Sequence, residues 1–130
     1  MDRSKQVIST ERAPAPSHGA PYSQAITFGD LIFVAGQLPL DPVSGETVAG
    51  SIAEHTTQAL ENMRQILEAA GSGMNKLLRT TVYLTERDHW APMNEVYARY
   101  VGATPPARTA VTVDVLPYGS LIEIDAIAHR

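Results

Sequence analysis

The stretch ARTAVTVDVLPYGSLIEIDAIA occupies residues 107–128. Pro117 and Gly119 interrupt it, so it reads as a strand over 110–115, a turn over 117–119 and a strand over 121–128. Side chains alternate across a strand. In the first strand Thr109, Val111, Val113 and Val115 share one side, and Arg108, Ala110, Thr112 and Asp114 share the other. In the second, Ile122, Ile124, Ala126 and Ala128 make a uniformly apolar side, while Leu121, Glu123, Asp125 and Ile127 make a mixed one. Helices pack on the uniformly apolar side of a sheet. That assigns the sides of Val111 and Ile124 to a helix layer and sends Arg108 and Glu123 out together from the mixed face.

Working outward, residues 77–84 form a strand rich in Thr, Val and Tyr. Before it lies the clearest helix. Ser51 and Glu54 have capping-box spacing, and Ile52, Ala59, Leu60, Met63, Ile66, Leu67 and Ala70 follow at helical intervals until Gly71 stops them. A second helix starts at Asp88 as N-cap, tolerates Pro92 in its first turn and presents Trp90, Met93, Val96, Tyr97 and Tyr100. Upstream, residues 23–28 and 31–36 flank Gly29-Asp30 as a hairpin. Residues 12–21 and 38–48 are loops punctuated by Pro and Gly, and 7–9 is a short strand candidate. The order β β β α β α β β is α+β, with about six strands and two helices in one domain over residues 1–130. Two helices cover only one face of such a sheet. The other face still carries Leu121, Ile127, Leu31 and Phe33, so subunit association is its natural cover.

The formal net charge of -4, with ten scattered cations, argues against a nucleic-acid surface, which needs clustered Lys and Arg. Cysteine is absent, which removes disulfides, thiolate nucleophiles and Cys-based zinc sites. The N-terminal MDRSKQVIST lacks a signal-peptide core and no segment approaches a membrane span, so a soluble cytoplasmic protein is expected.

His18, His55, His89 and His129 fall in no HxH or HExxH pattern, so no metal site is expected. No GxSxG supports a serine nucleophile, and the GSG around Ser72 lies at a helix end with no following Lys, so it is a turn. Arg108 and Glu123 carry the better signal. On one reading they form a cross-strand salt bridge worth about 0–1 kcal/mol. On the other, Arg108 anchors a carboxylate ligand: it follows two prolines, its planar fork suits two carboxylate oxygens, and its face needs a partner subunit. Asn94 and Tyr22 are weaker candidates, with a helix surface and aromatic packing as alternatives. Gly36, within AGQLPLDP, permits a close ligand approach or makes a bulge.

Several segments match a known family in its order: APYSQAI (20–26), FVAGQLPLDPVSGE (33–46), QALENMRQILEAAG (58–71), MNEVY (93–97), PPAR (105–108) and IEIDAIA (122–128). On them the chain resembles the reactive intermediate/imine deaminase family, also called YjgF/YER057c/UK114 or RidA-like. The resemblance implies a chorismate-mutase-like α+β domain and a homotrimer with a central barrel, outer helices and three clefts between subunits. It implies hydrolysis of 2-imino or enamine acids to 2-oxo acids with release of ammonia, and no metal or organic cofactor; that no nucleic-acid or membrane partner is expected rests on the charge and the absence of an apolar span. By position, the carboxylate-binding arginine falls on Arg108, the catalytic-site glutamate on Glu123, the cleft asparagine on Asn94 and the tyrosine on Tyr22. Amides that help hold the carboxylate fall at Gly36 and Ala110.

Two departures stand out. Ala35 occupies a place where Ser is common before Gly-Gln, and Thr109 replaces a common Ser after the arginine. Both neighbour the expected substrate. The lost hydroxyl at Ala35 leaves open a larger enamine substrate such as 2-aminomuconate, or a carboxylate-binding protein of the same fold without turnover.

Overall fold

The long helix forms where the apolar spacing places it. In the computed structural model, which describes residues 3–130, α1 runs Ile52–Ala69 and buries Ile52, Ala59, Leu60, Met63, Ile66 and Leu67. The capping box forms at its start: the Ser51 N–H donates to Glu54 Oε1 at 2.9 Å. Gly71, at φ 81°, ends the helix in the left-handed region that a side chain disfavours.

Six strands make one sheet: β1 (Gln6–Ile8), β2 (Ala25–Phe28), β3 (Leu31–Gln37), β4 (Leu77–Leu84), β5 (Ala107–Thr112) and β6 (Ile122–His129), in the order β1-β2-β3-β6-β4-β5. β2 and β3 are the expected hairpin, with Gly29 at φ 60° in its turn. All pairings are antiparallel except β4 with β5, which are parallel and joined through α2 (Trp90–Val101). β6 therefore lies between β3 and β4, and β5 is an edge strand that does not touch it.

Both helices lie on one face. Under them the sheet contributes Ile32, Val34, Val82, Leu84, Ile122, Ile124, Ala126 and Ala128, all buried. The opposite face is open, as the strand patterns required. It carries Val7, Phe28, Leu31, Phe33 and Val111, each at least 40% exposed.

Polar side chains pin the loops. Buried Gln24 accepts the Thr10 N–H and donates to the carbonyls of Thr10, Ala13 and Pro14, which fixes the proline-rich segment on the sheet. Buried Asn62 of α1 donates to the Leu38 and Leu40 carbonyls beneath the 38–48 loop.

Two expectations are corrected. Asp88 is not the N-cap of α2; it lies within a 3-10 turn, Arg87–His89, and the helix starts at Trp90 with no side-chain cap. Pro92 still falls in the first turn, where its missing N–H costs no hydrogen bond. More consequentially, β5 presents the other parity. It is paired with β4 so that Arg108 lies beside Thr80 and Ala110 beside Val82, and both of those β4 residues are buried under the helices. Arg108 thus lies on the helix face and Val111 on the open face. Glu123 neighbours Tyr83 on the open face. The two residues do not share a face.

Candidate active site

Arg108 is seated by α2. Its guanidinium carbon lies 4.9 Å from the centre of the Tyr97 ring, and Nη1 donates to Asn94 Oδ1 at 2.7 Å. Asn94 and Tyr97 are three residues apart on the helix, so they face the same way. The Tyr97 hydroxyl is fixed in turn by Thr80 Oγ1 of β4, 2.7 Å away and buried. Among the described residues Arg108 forms no ion pair. The salt-bridge reading therefore fails within the chain. What stands instead is a cation held at Nη1 by the Asn94 amide oxygen, with Met93 Sδ 3.9 Å from the same nitrogen, and with its Nε and Nη2 donors left to meet an anion. Pro105, Pro106, Ala98 and Gly102 complete a hollow of about 330 Å³ in front of it.

Glu123 belongs to a second hollow, of about 400 Å³, on the other side of the sheet. Tyr22, Ala35, Gly36 and Glu123 line it together. β3 bulges there: Val34 pairs with Ala126 and Gln37 with Ile124, so Ala35 and Gly36 oppose a single residue of β6. The bulge brings the Gly36 backbone against the Glu123 carboxyl. A β-carbon at position 36 would lie 2.8 Å from the Glu123 carboxyl carbon and closer still to Oε2, so only glycine lets the carboxyl occupy this position. The Tyr22 hydroxyl accepts the Ser17 N–H at 3.2 Å.

The Glu123 carboxyl has no hydrogen-bond or ion-pair partner among the described residues. Burial, and then the neighbouring charge of Asp125, raise its pKa above the usual carboxylate range. Asp125 itself accepts a hydrogen bond from the Tyr83 hydroxyl at 3.1 Å. A carboxyl with a raised pKa and no internal partner suits proton transfer to and from water.

The remaining candidates fall elsewhere. The Thr109 hydroxyl points to the open face and accepts from Arg79 Nη2 at 2.7 Å. The Ala110 methyl packs on the core, so only its backbone is available at the edge. Among the histidines, His55 is structural: Nδ1 accepts the Leu121 N–H at 3.2 Å, so Nε2–H donates to the Val48 carbonyl at 3.0 Å. Sequence reasoning missed Tyr97, Thr80 and Asp125, although the i, i+3 spacing of Asn94 and Tyr97 was a usable signal. It also missed Tyr118, whose ring walls the Glu123 cleft from a turn with no motif of its own.

The candidates thus form two groups, Arg108 with Asn94 and Tyr22 with Ala35, Gly36 and Glu123. Arg108 sits two strands from β6, level with Thr80, while Glu123 is level with Tyr83. Roughly 10 Å separates them across the sheet and another 10 Å along it, besides the sheet itself.

Comparison with known proteins agrees with this architecture. The sequence model described as Endoribonuclease L-PSP matches residues 10–130. A RutC family protein of Pyrococcus horikoshii is 53% identical over 97% of this chain and 98% of its own length. The 2-iminobutanoate/2-iminopropanoate deaminase of Mus musculus is 44% identical over 95% of this chain and 90% of its own. The crystal structure of E. coli TdcF with bound serine superposes with a TM-score of 0.90 at 35% identity, covering 96% of this chain and 98% of that one. The motifs, the six-stranded sheet with two helices on one face and these matches agree: this chain belongs to the Endoribonuclease L-PSP family, the YjgF/RidA imine-deaminase family that its sequence resembles.

Proposed function

We propose that this protein hydrolyses 2-imino or enamine acids to 2-oxo acids and ammonia, in clefts formed between the subunits of a homotrimer. One observation carries the reading: among the described residues Arg108 is an oriented cation with no counter-charge, and Glu123 is a half-buried carboxyl with no partner. The sheet keeps them apart in one chain. Abutting two copies would join the Arg108 hollow of one with the Glu123 hollow of the next. The exposed apolar residues of the open face favour such association. The deaminase of Mus musculus and the serine-bound TdcF of E. coli support a ligand with an α-carboxylate beside nitrogen.

The chemistry follows from the groups. Arg108 holds the substrate carboxylate by a charge-assisted, two-pronged contact. The imine carbon then lies beside Glu123 of the neighbouring subunit. Glu123 takes a proton from water as its oxygen attacks that carbon, giving a carbinolamine. Glu123 passes that proton to nitrogen and then moves the hydroxyl proton there too as the C–N bond breaks, so ammonia leaves with the 2-oxo acid behind; an enamine first becomes the imine by shifting a proton from nitrogen to its β-carbon. One water is consumed and no electrons are exchanged. Holding water and carbon together removes the entropic cost of their encounter.

A second reading keeps the cleft and drops the turnover: Ala35 lines the cleft with a methyl where serine is common in the family, which favours a carboxylate-binding protein. One assay separates the two. Imino acids are generated with an amino-acid oxidase and their decay is followed. Accelerated decay that Arg108→Ala abolishes supports the deaminase. Stabilisation by 2-oxo acids without accelerated decay supports the binder. The name endoribonuclease adds a third outcome, retention of RNA at physiological salt, which the net charge of -4 disfavours.

A further inference from the structure

The Glu123 cleft has a wall that the hydrolysis does not use. Tyr118 stands there, half exposed, with φ 60° and ψ 30°. This is the left-handed region, which L residues other than Gly, Asn and Asp seldom occupy. His18 is the other described non-glycine residue with positive φ, at 53°. Each sits in a 3-10 turn before a glycine that is also left-handed, Gly19 at φ 67° and Gly119 at φ 70°. The two rings meet, with centroids 6.1 Å apart and planes tilted by 56°. Thr47 Oγ1 donates to the Tyr118 carbonyl at 2.7 Å and fixes its turn, while the Ser17 N–H ties the other turn to Tyr22. Two loops far apart in sequence thus adopt an unfavourable backbone, and their ring contact braces Tyr118, which lines the cleft. Strain held in place by its surroundings marks functional positions.

The cleft's chemistry is lopsided. Ser17, Tyr22 and Glu123 bring polar groups to it, and Ala20, Leu38 and Pro117 line it beside Tyr118. No lysine or arginine lines it. With the carboxylate on Arg108 of a neighbouring copy and the imine carbon at Glu123, the substrate's side chain points at this apolar wall. About 400 Å³ is more than a methyl or ethyl group fills. Ala35 adds a methyl to the same surface.

We propose that Tyr118 makes this cleft selective for 2-imino acids with a large apolar or aromatic side chain, an inference that rests on the deaminase reading of the site. Each further methylene buried against the wall favours the substrate about fourfold. A dicarboxylic enamine such as 2-aminomuconate is disfavoured, because its second carboxylate would lie against this wall with no cation beside it.

The test compares imines made by amino-acid oxidase from alanine, leucine and phenylalanine, in the intact protein, Tyr118→Asn and Tyr118→Phe. Asn tolerates the left-handed turn, so the fold is kept. The intact protein is expected to have a kcat/KM at least tenfold higher for the leucine and phenylalanine imines than for the alanine imine. Tyr118→Asn loses that advantage, changes the alanine imine less than twofold, and Tyr118→Phe restores the preference. Calorimetry with pyruvate and phenylpyruvate reads the pocket without turnover, and Tyr118→Asn should weaken phenylpyruvate alone. A preference for the alanine imine, or an equal loss on every substrate, overturns the inference and leaves the deaminase reading intact. No imine turnover with Tyr118-dependent phenylpyruvate binding defeats the deaminase reading instead, and the apolar pocket stands.

Discussion

Arg108 and Glu123 stand on opposite faces of one sheet, with β4 between their strands. Neither reaches a ligand held by the other in the same chain. Arg108 is aimed by α2, through Asn94 and Tyr97, and Glu123 is aimed by the β3 bulge at Gly36. Each aiming device is open to a separate test.

Gly36→Ala adds a methyl where the Glu123 carboxyl lies. The atoms it meets end a flexible side chain, and the backbone of Gly36 lies outside the left-handed region, so the strand accepts the change. The carboxyl must move. Imine hydrolysis should fall at least tenfold, about 1.4 kcal/mol of transition-state stabilisation, with the melting temperature almost unchanged. Undiminished activity would show that Glu123 does not act from this position.

Asn94→Ala leaves the charge of Arg108 but removes the bond that orients it. Loss of a hydrogen bond to a charged group is worth about 1.5–3 kcal/mol, so KM should rise roughly tenfold or more with a smaller change in kcat. Arg108→Lys keeps the charge and loses the fork, and should be nearly as damaging as Arg108→Ala. Steady-state kinetics of the three variants decides; a fully active Arg108→Lys would exclude two-pronged carboxylate binding.

Glu123 must be ionised to accept a proton from water. Burial first, and Asp125 second, raise its pKa, so kcat/KM should fall with decreasing pH at a value above the ordinary carboxylate range of about 4.3. Asp125→Asn removes the second cause and should move that acid limb to lower pH. The stability effect has a definite sign. The folded state holds this proton more tightly than the unfolded one, so the stabilisation is full below the ordinary carboxylate pKa and is lost as pH rises through the folded value. Glu123→Gln should therefore melt higher than the parent at pH 7, with the difference vanishing near pH 4. An unmoved acid limb in Asp125→Asn would contradict this electrostatic picture.

His55 is neutral in the fold, since one ring nitrogen accepts from Leu121 and burial lowers its pKa. Its contribution is full above the unfolded value of about 6.5 and is lost as pH falls through the lower folded value. Urea unfolding should show stability declining from pH 7.5 to 5.5. His55→Gln should lose about 1–3 kcal/mol at pH 7.5 from the broken pairings and decline less steeply. Parallel slopes would assign the acid sensitivity elsewhere.

Much of this was legible in the residues, and for identifiable reasons. The capping box at Ser51, the run from Ile52 to Ala70 and the Gly29 turn are local signals, and each formed as read. The uncovered sheet face followed from counting two helices against six strands. The side on which Arg108 projects was not legible. β5 is an edge strand whose apolar residue Val111 faces open space, so its pattern mimics a helix-covered surface. Only the pairing of Arg108 with Thr80 reveals the true side. Gln24 and Asn62, which hold the loops, and the left-handed Tyr118 depend on partners distant in sequence and leave no periodic trace.

Subunit mixing tests the divided site most directly. Arg108→Ala and Glu123→Gln proteins, each inactive alone, are unfolded together, refolded in equal amounts and assayed for imine hydrolysis. If each cleft takes its arginine from one chain and its glutamate from the next, roughly a quarter of the clefts in a random mixture are intact, and about a quarter of the parent activity returns. If both residues serve one ligand within a single chain, no mixture contains an intact site and the activity stays at the level of the separate variants.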